Sequence, residues 1–222
     1  MKVCVTLVGV TRPSFTQVKE NIENNITYFT KYSQHVFEFI VLTYKNDFSD
    51  ELQEYCSSKN IKCIFIEQIK DSDFIFPVKI NVPNAYRLFY CMNQVMNVVS
   101  KDACIVRLRL DAQVCNLELM EPEENVFYSL KESDNNCSDN IGYGTYKTMR
   151  NIWKHENCLL KGMGAESILY SAIKKYNYRI KNVKFHYKLY QSSEAFFDGV
   201  RQWSKGNREW IYDGKDYIKN AL

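Results

Sequence analysis

The sequence predicts an α/β protein with a mostly parallel central sheet flanked by helices, and three observations support this fold class. Short apolar runs typical of buried strands alternate with longer segments in which apolar residues recur at helical spacing. Such alternation is typical of βαβ units, whose strands are parallel. The chain has 222 residues, of which 45% are hydrophobic, so it can bury one sizeable core. We therefore expect a single large domain.

The first half of the chain has the clearest pattern, a regular exchange of strand and helix. In chain order we predict a strand at 2–10, a helix at 14–32, a strand at 36–44, a helix at 48–56, a strand at 61–67, a helix that begins at Val82 and a strand at 104–110. Pro83 supports the start of the third helix, because proline is favoured in the first turn.

The second half is less regular. We predict a strand at 125–130, a polar loop at 131–140, a short helix at 145–153, a helix that begins at Ala165 after a glycine-rich turn, and a last strand at 183–189. The segment 191–222 is rich in aromatic residues. It is expected either to pack on the domain or to lead into a further domain.

The strand at 104–110 carries unusual charge. With a period of two, Arg107, Arg109 and Asp111 share one face, and the other face carries Cys104, Val106, Leu108 and Leu110. Charge in a buried strand is costly, and open α/β sheets bind ligands at the carboxyl ends of their strands. The pattern predicts a site for a phosphorylated or metal-bound ligand. The alternative is an Arg–Asp pair that only closes the strand end.

Composition excludes several classes of protein. The net charge of +3 is spread along the chain, so no nucleic-acid partner is predicted, and no apolar run approaches the roughly 18 residues of a membrane span. The eight cysteines form no CxxC pair, which favours a reducing compartment and a cytoplasmic location. The segment Gly9–Pro13 matches neither a dinucleotide-binding glycine motif nor a P-loop.

Taken together, these features resemble the GT-A class of nucleotide-sugar glycosyltransferases over about residues 1–190. The features are a βαβαβ half, an acidic residue at the end of the fourth strand, a glycine-rich turn, a glutamate at a helix start and a late strand with a histidine. The segment Asp139–Met149, followed by Trp153 and Ala165-Glu166, also resembles bacterial polysaccharide-assembly transferases and glycosyltransferase domains of large DNA viruses.

The resemblance implies a single Rossmann-like domain. Residues 1–115 would form its nucleotide-binding half and residues 116–190 its acceptor half. The implied reaction is transfer of a sugar from a nucleotide-diphosphate sugar, with UDP as the expected nucleotide, to a glycan acceptor. The location would be the cytoplasm, that of the host if the protein is viral. The competing hypothesis is a catalytically silent domain that binds a glycan or a partner, and the oligomeric state is not predicted.

One departure from the family concerns the metal site. The family usually has Asp-x-Asp at the end of this strand, whereas this chain has Arg109-Leu-Asp111 or Asp111-Ala-Gln113. The resemblance implies Mn²⁺ or Mg²⁺ held by Asp111, with His186 as a second ligand, since one carboxylate, diphosphate oxygens and water can hold a hard cation. Alternatively, Arg107 or Arg109 neutralises the diphosphate directly.

The remaining site residues follow from the same resemblance. Gly9, Thr11 and Arg12 would contact the nucleotide, although an ordinary strand-to-helix turn explains them nearly as well, and Arg87 would contact it from the third helix. Glu166 is, with Asp111, the predicted catalytic residue, either as the general base or as a group that binds the acceptor. A first-turn glutamate that only stabilises its helix is the alternative.

Overall fold

The computed structural model describes residues 1–10, 14–31, 34–69, 82–160, 164–190, 196–197, 200–201, 208–213 and 217–221. The helices are α1 (Phe15–Thr30), α2 (Ser49–Ser58), α3 (Val82–Met96), α4 (Tyr146–Ile152) and α5 (Ala165–Lys175), with a 3-10 helix at His155–Leu159. None of the helices in these ranges is long and apolar enough to cross a membrane.

The strands fall into two larger sheets and two short pairs. They are β1 (Lys2–Val8), β2 (Val36–Tyr44), β3 (Lys62–Ile66), β4 (Cys104–Arg109), β5 (Ala112–Leu117), β6 (Val126–Ser129), β7 (Lys131–Ser133), β8 (Asn136–Cys137), β9 (Ile141–Thr145), β10 (Arg179–Asn182), β11 (Phe185–Leu189), β12 (Phe196–Phe197), β13 (Val200–Arg201), β14 (Arg208–Tyr212) and β15 (Tyr217–Ala221). The pairs are β7–β8 and β12–β13.

The central sheet has seven strands in the order β10-β6-β9-β4-β1-β2-β3. Strands β3, β2, β1 and β4 are parallel, and β9 runs antiparallel between β4 and β6. Strand β1 has β2 on one side and β4 on the other. The order in which the chain adds strands to the sheet therefore reverses at β1. Ligands of open α/β sheets bind beside such a switch point, outside the carboxyl ends of the strands.

Helices cover both faces of this sheet, because each carries an apolar stripe. On one face α1 and α2 pack with the second sheet around residues such as Val5, Val106 and Ile22. On the other face α3, α4 and α5 pack around Ile105, Phe89 and Trp153. The central strands are thus buried on both faces, as parallel strands usually are.

The second sheet is antiparallel, in the order β15-β14-β11-β5. Only Leu110 and Asp111 separate the end of β4 from the start of β5, so the chain passes from one sheet to the other at these two residues. A side chain of helix α1 forms hydrogen bonds with the backbone at the outer edge of β5. The amide of Asn25 donates to the Ala112 carbonyl at 2.8 Å and accepts from the Val114 N–H at 2.8 Å.

The predicted fold class is confirmed, as are the strands and helices of the first half. The prediction missed β5, β9 and β10, and it treated residues 131–140 as a loop although they contain β7 and β8. The segment 183–189 is a strand but not the last one, since β14 pairs with it. Short strands with few apolar residues, such as Ile141–Thr145 with its two glycines, give little periodic signal.

Candidate functional site

A cleft of about 410 Å³ lies at the carboxyl ends of β1, β2 and β4. Its walls come from the end of β1, from α3, from the charged face of β4 and from the start of α5. The lining residues are Val8, Gly9, Val10, Tyr44, Gln68, Asn84, Ala85, Arg87, Leu88, Cys91, Arg107, Arg109, Asp111, Asp139, Gly164, Ala165 and Glu166.

The end of β4 contributes an ion pair. The Arg109 guanidinium donates to both oxygens of Asp111, from Nε at 2.8 Å and from Nη2 at 2.7 Å, and its Nη1 donates to Asn140 at 3.3 Å. Burial opposes the charged form of Arg109, but the carboxylates of Asp111 and Asp139 outweigh it and raise the pKa of Arg109 above its ordinary value. The pair that the sequence offered as an alternative therefore exists, and it lies inside the cleft.

Arg107 is a different kind of arginine. It is only 1% exposed, and its Cζ lies 5.3 Å from the centre of the Trp153 ring. Among the described residues, no hydrogen-bond partner reaches its Nε or Nη1. Burial lowers the pKa of Arg107 to about 10, with Asp139 acting in the opposite direction, so the side chain remains a cation at neutral pH.

The predicted nucleotide contacts are partly brought together. Gly9 lines the cleft with a φ of +153°, a conformation that favours glycine. Arg87 also lines the cleft, but its Nε and Nη2 donate to the Ile69 carbonyl, both at 3.1 Å, and its Nη1 donates to Asn84 at 3.2 Å. The side chain thus holds the chain segment after β3 against α3. Thr11 and Arg12 lie outside the described residues.

Glu166 lines the cleft from the first turn of α5. Helix α5 begins after Gly164, whose N–H donates to the Ser167 hydroxyl at 3.2 Å. Glu166 and Asp111 therefore contribute carboxylates to the same cleft. The position at a helix N-terminus favours the ionised form of such a side chain.

Asp139 is a cleft residue that the sequence analysis did not single out as a site residue. It lies just before β9, is 8% exposed, and reaches the cleft because β9 runs antiparallel and starts at the edge where β4 ends. Its only signal in the sequence was its place at the start of the segment Asp139–Met149.

The predicted metal ligands do not come together. His186 lies on β11 in the second sheet, with its Nε2 2.6 Å from Oε1 of Glu209, and it does not line the cleft. Both oxygens of Asp111 already accept from Arg109. Within the described ranges no group of three or more histidine, cysteine, aspartate or glutamate side chains is arranged to hold a metal ion. Asp111, with both oxygens held by Arg109 and without His186 beside it, therefore does not fit the two-ligand cation site that the resemblance implies.

Comparison with known proteins adds the fold family. No protein-family model matches this sequence, and no curated protein matches it. Solved structures do resemble it. An active-site mutant of LgtC has a TM-score of 0.52 at 9% identity, over 77% of this chain and 70% of that chain. The protein has the GT-A glycosyltransferase fold.

Two further glycosyltransferase structures are similar, with TM-scores below 0.5. The galactosyltransferase LgtC in complex with donor and acceptor sugar analogues has a TM-score of 0.49 at 10% identity, over 81% of this chain and 73% of that chain. A mutant of the Drosophila β1,4-galactosyltransferase 7, in complex with manganese, UDP-Gal and xylobiose, has a TM-score of 0.46 at 14% identity, over 81% of this chain. This chain spans 64% of the Drosophila protein's chain.

Proposed function

We propose that the protein is a glycosyltransferase that moves a sugar from a nucleotide-diphosphate sugar to a glycan acceptor. The observation that carries the proposal is the cleft at the switch point of a GT-A fold, lined by two arginines and an aspartate at the end of β4 and by Glu166 opposite. A cleft of about 410 Å³ falls within the range of small-molecule sites.

The donor would occupy the side formed by β1, α3 and β4. At Gly9 there is no side chain, so a ligand can approach the backbone at the end of β1. Asn84 lines the same side, and its amide nitrogen would donate to an oxygen of the base or ribose while its oxygen accepts from Arg87. We take UDP as the nucleotide to test first, because the sequence resemblance implies it.

The reaction breaks the bond between the anomeric carbon and the diphosphate oxygen, and the electron pair leaves with the diphosphate. The oxygen of an acceptor hydroxyl forms the new bond to the anomeric carbon. Glu166 would take the proton of that hydroxyl; where Glu166 only binds the acceptor by hydrogen bonds, the proton would pass to an oxygen of the departing diphosphate. No step is assigned to Mn²⁺ or Mg²⁺, since both oxygens of Asp111 accept from Arg109.

One observation favours the competing function, a silent domain that binds a glycan or a partner. The carboxylate of Asp111, which the resemblance assigns to the metal, is engaged by Arg109. The two functions differ in their demand for a nucleotide, because only a transferase needs one.

Thermal unfolding with UDP, GDP and CMP tests the proposal. One nucleotide at about 100 times its Kd should stabilise the protein by about 2.7 kcal/mol, or roughly 5–10 °C for a chain of this size. Release of that nucleotide from its sugar conjugate, in the presence of a glycan acceptor, should then be detected. Stabilisation by a glycan and by no nucleotide would establish the silent domain instead.

The role of Glu166 is tested by Glu166→Gln. If the side chain is the base, kcat should fall by roughly 10²-fold or more while the Kd for the donor stays unchanged. Glu51→Gln is the matched control, because Glu51 is an exposed first-turn glutamate of α2 that lies outside the cleft. A normal kcat with a lowered melting temperature would mean that Glu166 only stabilises α5.

A further inference from the structure

Arg107 is buried at a point where the fold gives it little to bind. In the sheet it stands between Thr6 of β1 and Gly142 of β9, neither of which carries a charge. Its guanidinium rests on the Trp153 ring, and two of its three nitrogens have no hydrogen-bond partner among the described residues. A cation that is buried with unused donors is costly unless something compensates for it.

The carboxylates nearby compensate for it only in part. Asp111 is committed to Arg109 by two hydrogen bonds. Asp139 attracts both arginines, but the structure records no ion pair within 4.0 Å between Asp139 and Arg107. Among the residues that the structure describes, no anion is bonded to Arg107, which lines the cleft, and an anion seated there would complete its surroundings.

The same geometry disfavours a divalent cation. A metal ion bound to Asp111 would compete with the Arg109 guanidinium for oxygens that it already holds at 2.7 and 2.8 Å. It would also stand near two positive charges in a site where water screens them poorly. A guanidinium, in contrast, matches the geometry of phosphate oxygens and carries its charge without a metal.

We infer that Arg107 binds the diphosphate of the donor directly and that binding requires no divalent cation. This inference rests on the proposed transferase function. Arg109 and Asp111 form a neutral wall beside the diphosphate, and Arg107 supplies the positive charge. As the bond to the sugar breaks, negative charge grows on the departing diphosphate, and a fixed guanidinium stabilises that charge.

Isothermal titration calorimetry tests the inference on the wild-type protein first. The probes are UDP and inorganic pyrophosphate, each titrated in EDTA and in Mg²⁺. We expect UDP to bind in EDTA with a Kd within about threefold of that in Mg²⁺, because the metal contributes little. UDP binding that is detected only after Mg²⁺ is added would overturn the inference and leave the proposed function standing.

Substitutions then identify the residue. Arg107→Met, which keeps an unbranched apolar side chain without the charge, should raise the Kd for UDP in EDTA by roughly 10- to 100-fold, the value of about one charged hydrogen bond. Arg107→Lys keeps the charge but loses the two-pronged guanidinium. Its Kd for UDP should therefore lie between those of the wild type and the Arg107→Met variant. An unchanged Kd in a folded Arg107→Met protein would overturn the inference.

Arg150→Met is the matched control. The Cζ of Arg150 also lies against an aromatic ring, 5.8 Å from the centre of the Tyr146 ring, but Arg150 lies outside the cleft. The Kd of this variant for UDP should therefore match that of the wild type within twofold. If pyrophosphate binds in EDTA and no nucleoside diphosphate binds at all, the anion site exists but the proposed transferase function is wrong. If neither probe binds under any condition, both proposals are wrong.

Discussion

Replacing Asn25 by alanine is expected to lower the free energy of unfolding by about 2–6 kcal/mol. The side chain is fully buried, and its amide makes two hydrogen bonds of 2.8 Å to the edge of β5. Alanine would leave the Ala112 carbonyl and the Val114 N–H without these partners, at a cost of about 1–3 kcal/mol for each buried group. Helix α1 would also lose a link to the strand that follows Asp111.

The assay is urea unfolding followed by circular dichroism, with the melting temperature as a second measurement. A loss of 2 kcal/mol should lower the melting temperature by at least roughly 4 °C. Asn24→Ala is the control, because Asn24 is the exposed neighbour in the same helix and undergoes the same gain in helix propensity. Equal stabilities of the two variants would refute the reasoning, since burial and the two bonds are what distinguish them.

Three further predictions concern backbone strain, the cleft ion pair and the thiols. Gly9→Ala should destabilise the protein by about 1–3 kcal/mol in urea unfolding, because a φ of +153° strains any side chain, and an unchanged midpoint would contradict this. Asp111→Asn should cost about 1–3 kcal/mol by leaving its partly exposed arginine partner uncompensated, whereas Asp134→Asn, at a side chain 97% exposed, should stay within about 0.5 kcal/mol of wild type. Iodoacetamide should alkylate Cys63 faster than Cys115 between pH 7 and 9. A hydrogen bond from a neighbouring thiol lowers the pKa of Cys63 and so increases its reactive thiolate fraction in this range, whereas burial raises the pKa of Cys115. Peptide mass spectrometry measures both rates, and faster labelling of Cys115 would reverse the expected order.

The sequence predicted the first half of the fold because its signals are local. Apolar runs and helical spacing are complete within each element from β1 to β4, so no distant residue is needed to recognise them. Gly142 shows why β9 was missed. A Cβ built on it would lie 2.4 Å from Cζ of Phe127, so the strand has glycine where a ring from β6 needs the space. Only the tertiary structure supplies that reason.

Part of the cleft could be predicted from the sequence and part could not. The alternation along β4 identified Arg107, Arg109 and Asp111 as neighbours on one face, and all three line the cleft. Asp139 joins them only because β9 is antiparallel, which the local pattern does not encode. His186 shows the converse, since its partner Glu209 comes from β14, 23 residues later, in a tail whose pairing the sequence left open.

Asp111 stands where the two sheets meet, and this position gives distant strands an influence on the cleft. Its side chain is held from the first sheet by Arg109, and its carbonyl accepts from the Tyr190 N–H at 2.9 Å, just beyond β11. The two sheets are therefore joined at one of the residues that contribute a carboxylate to the cleft. Substitutions in β14, which pairs with β11, can therefore alter the shape of the cleft by shifting this backbone, without any of their side chains lining it.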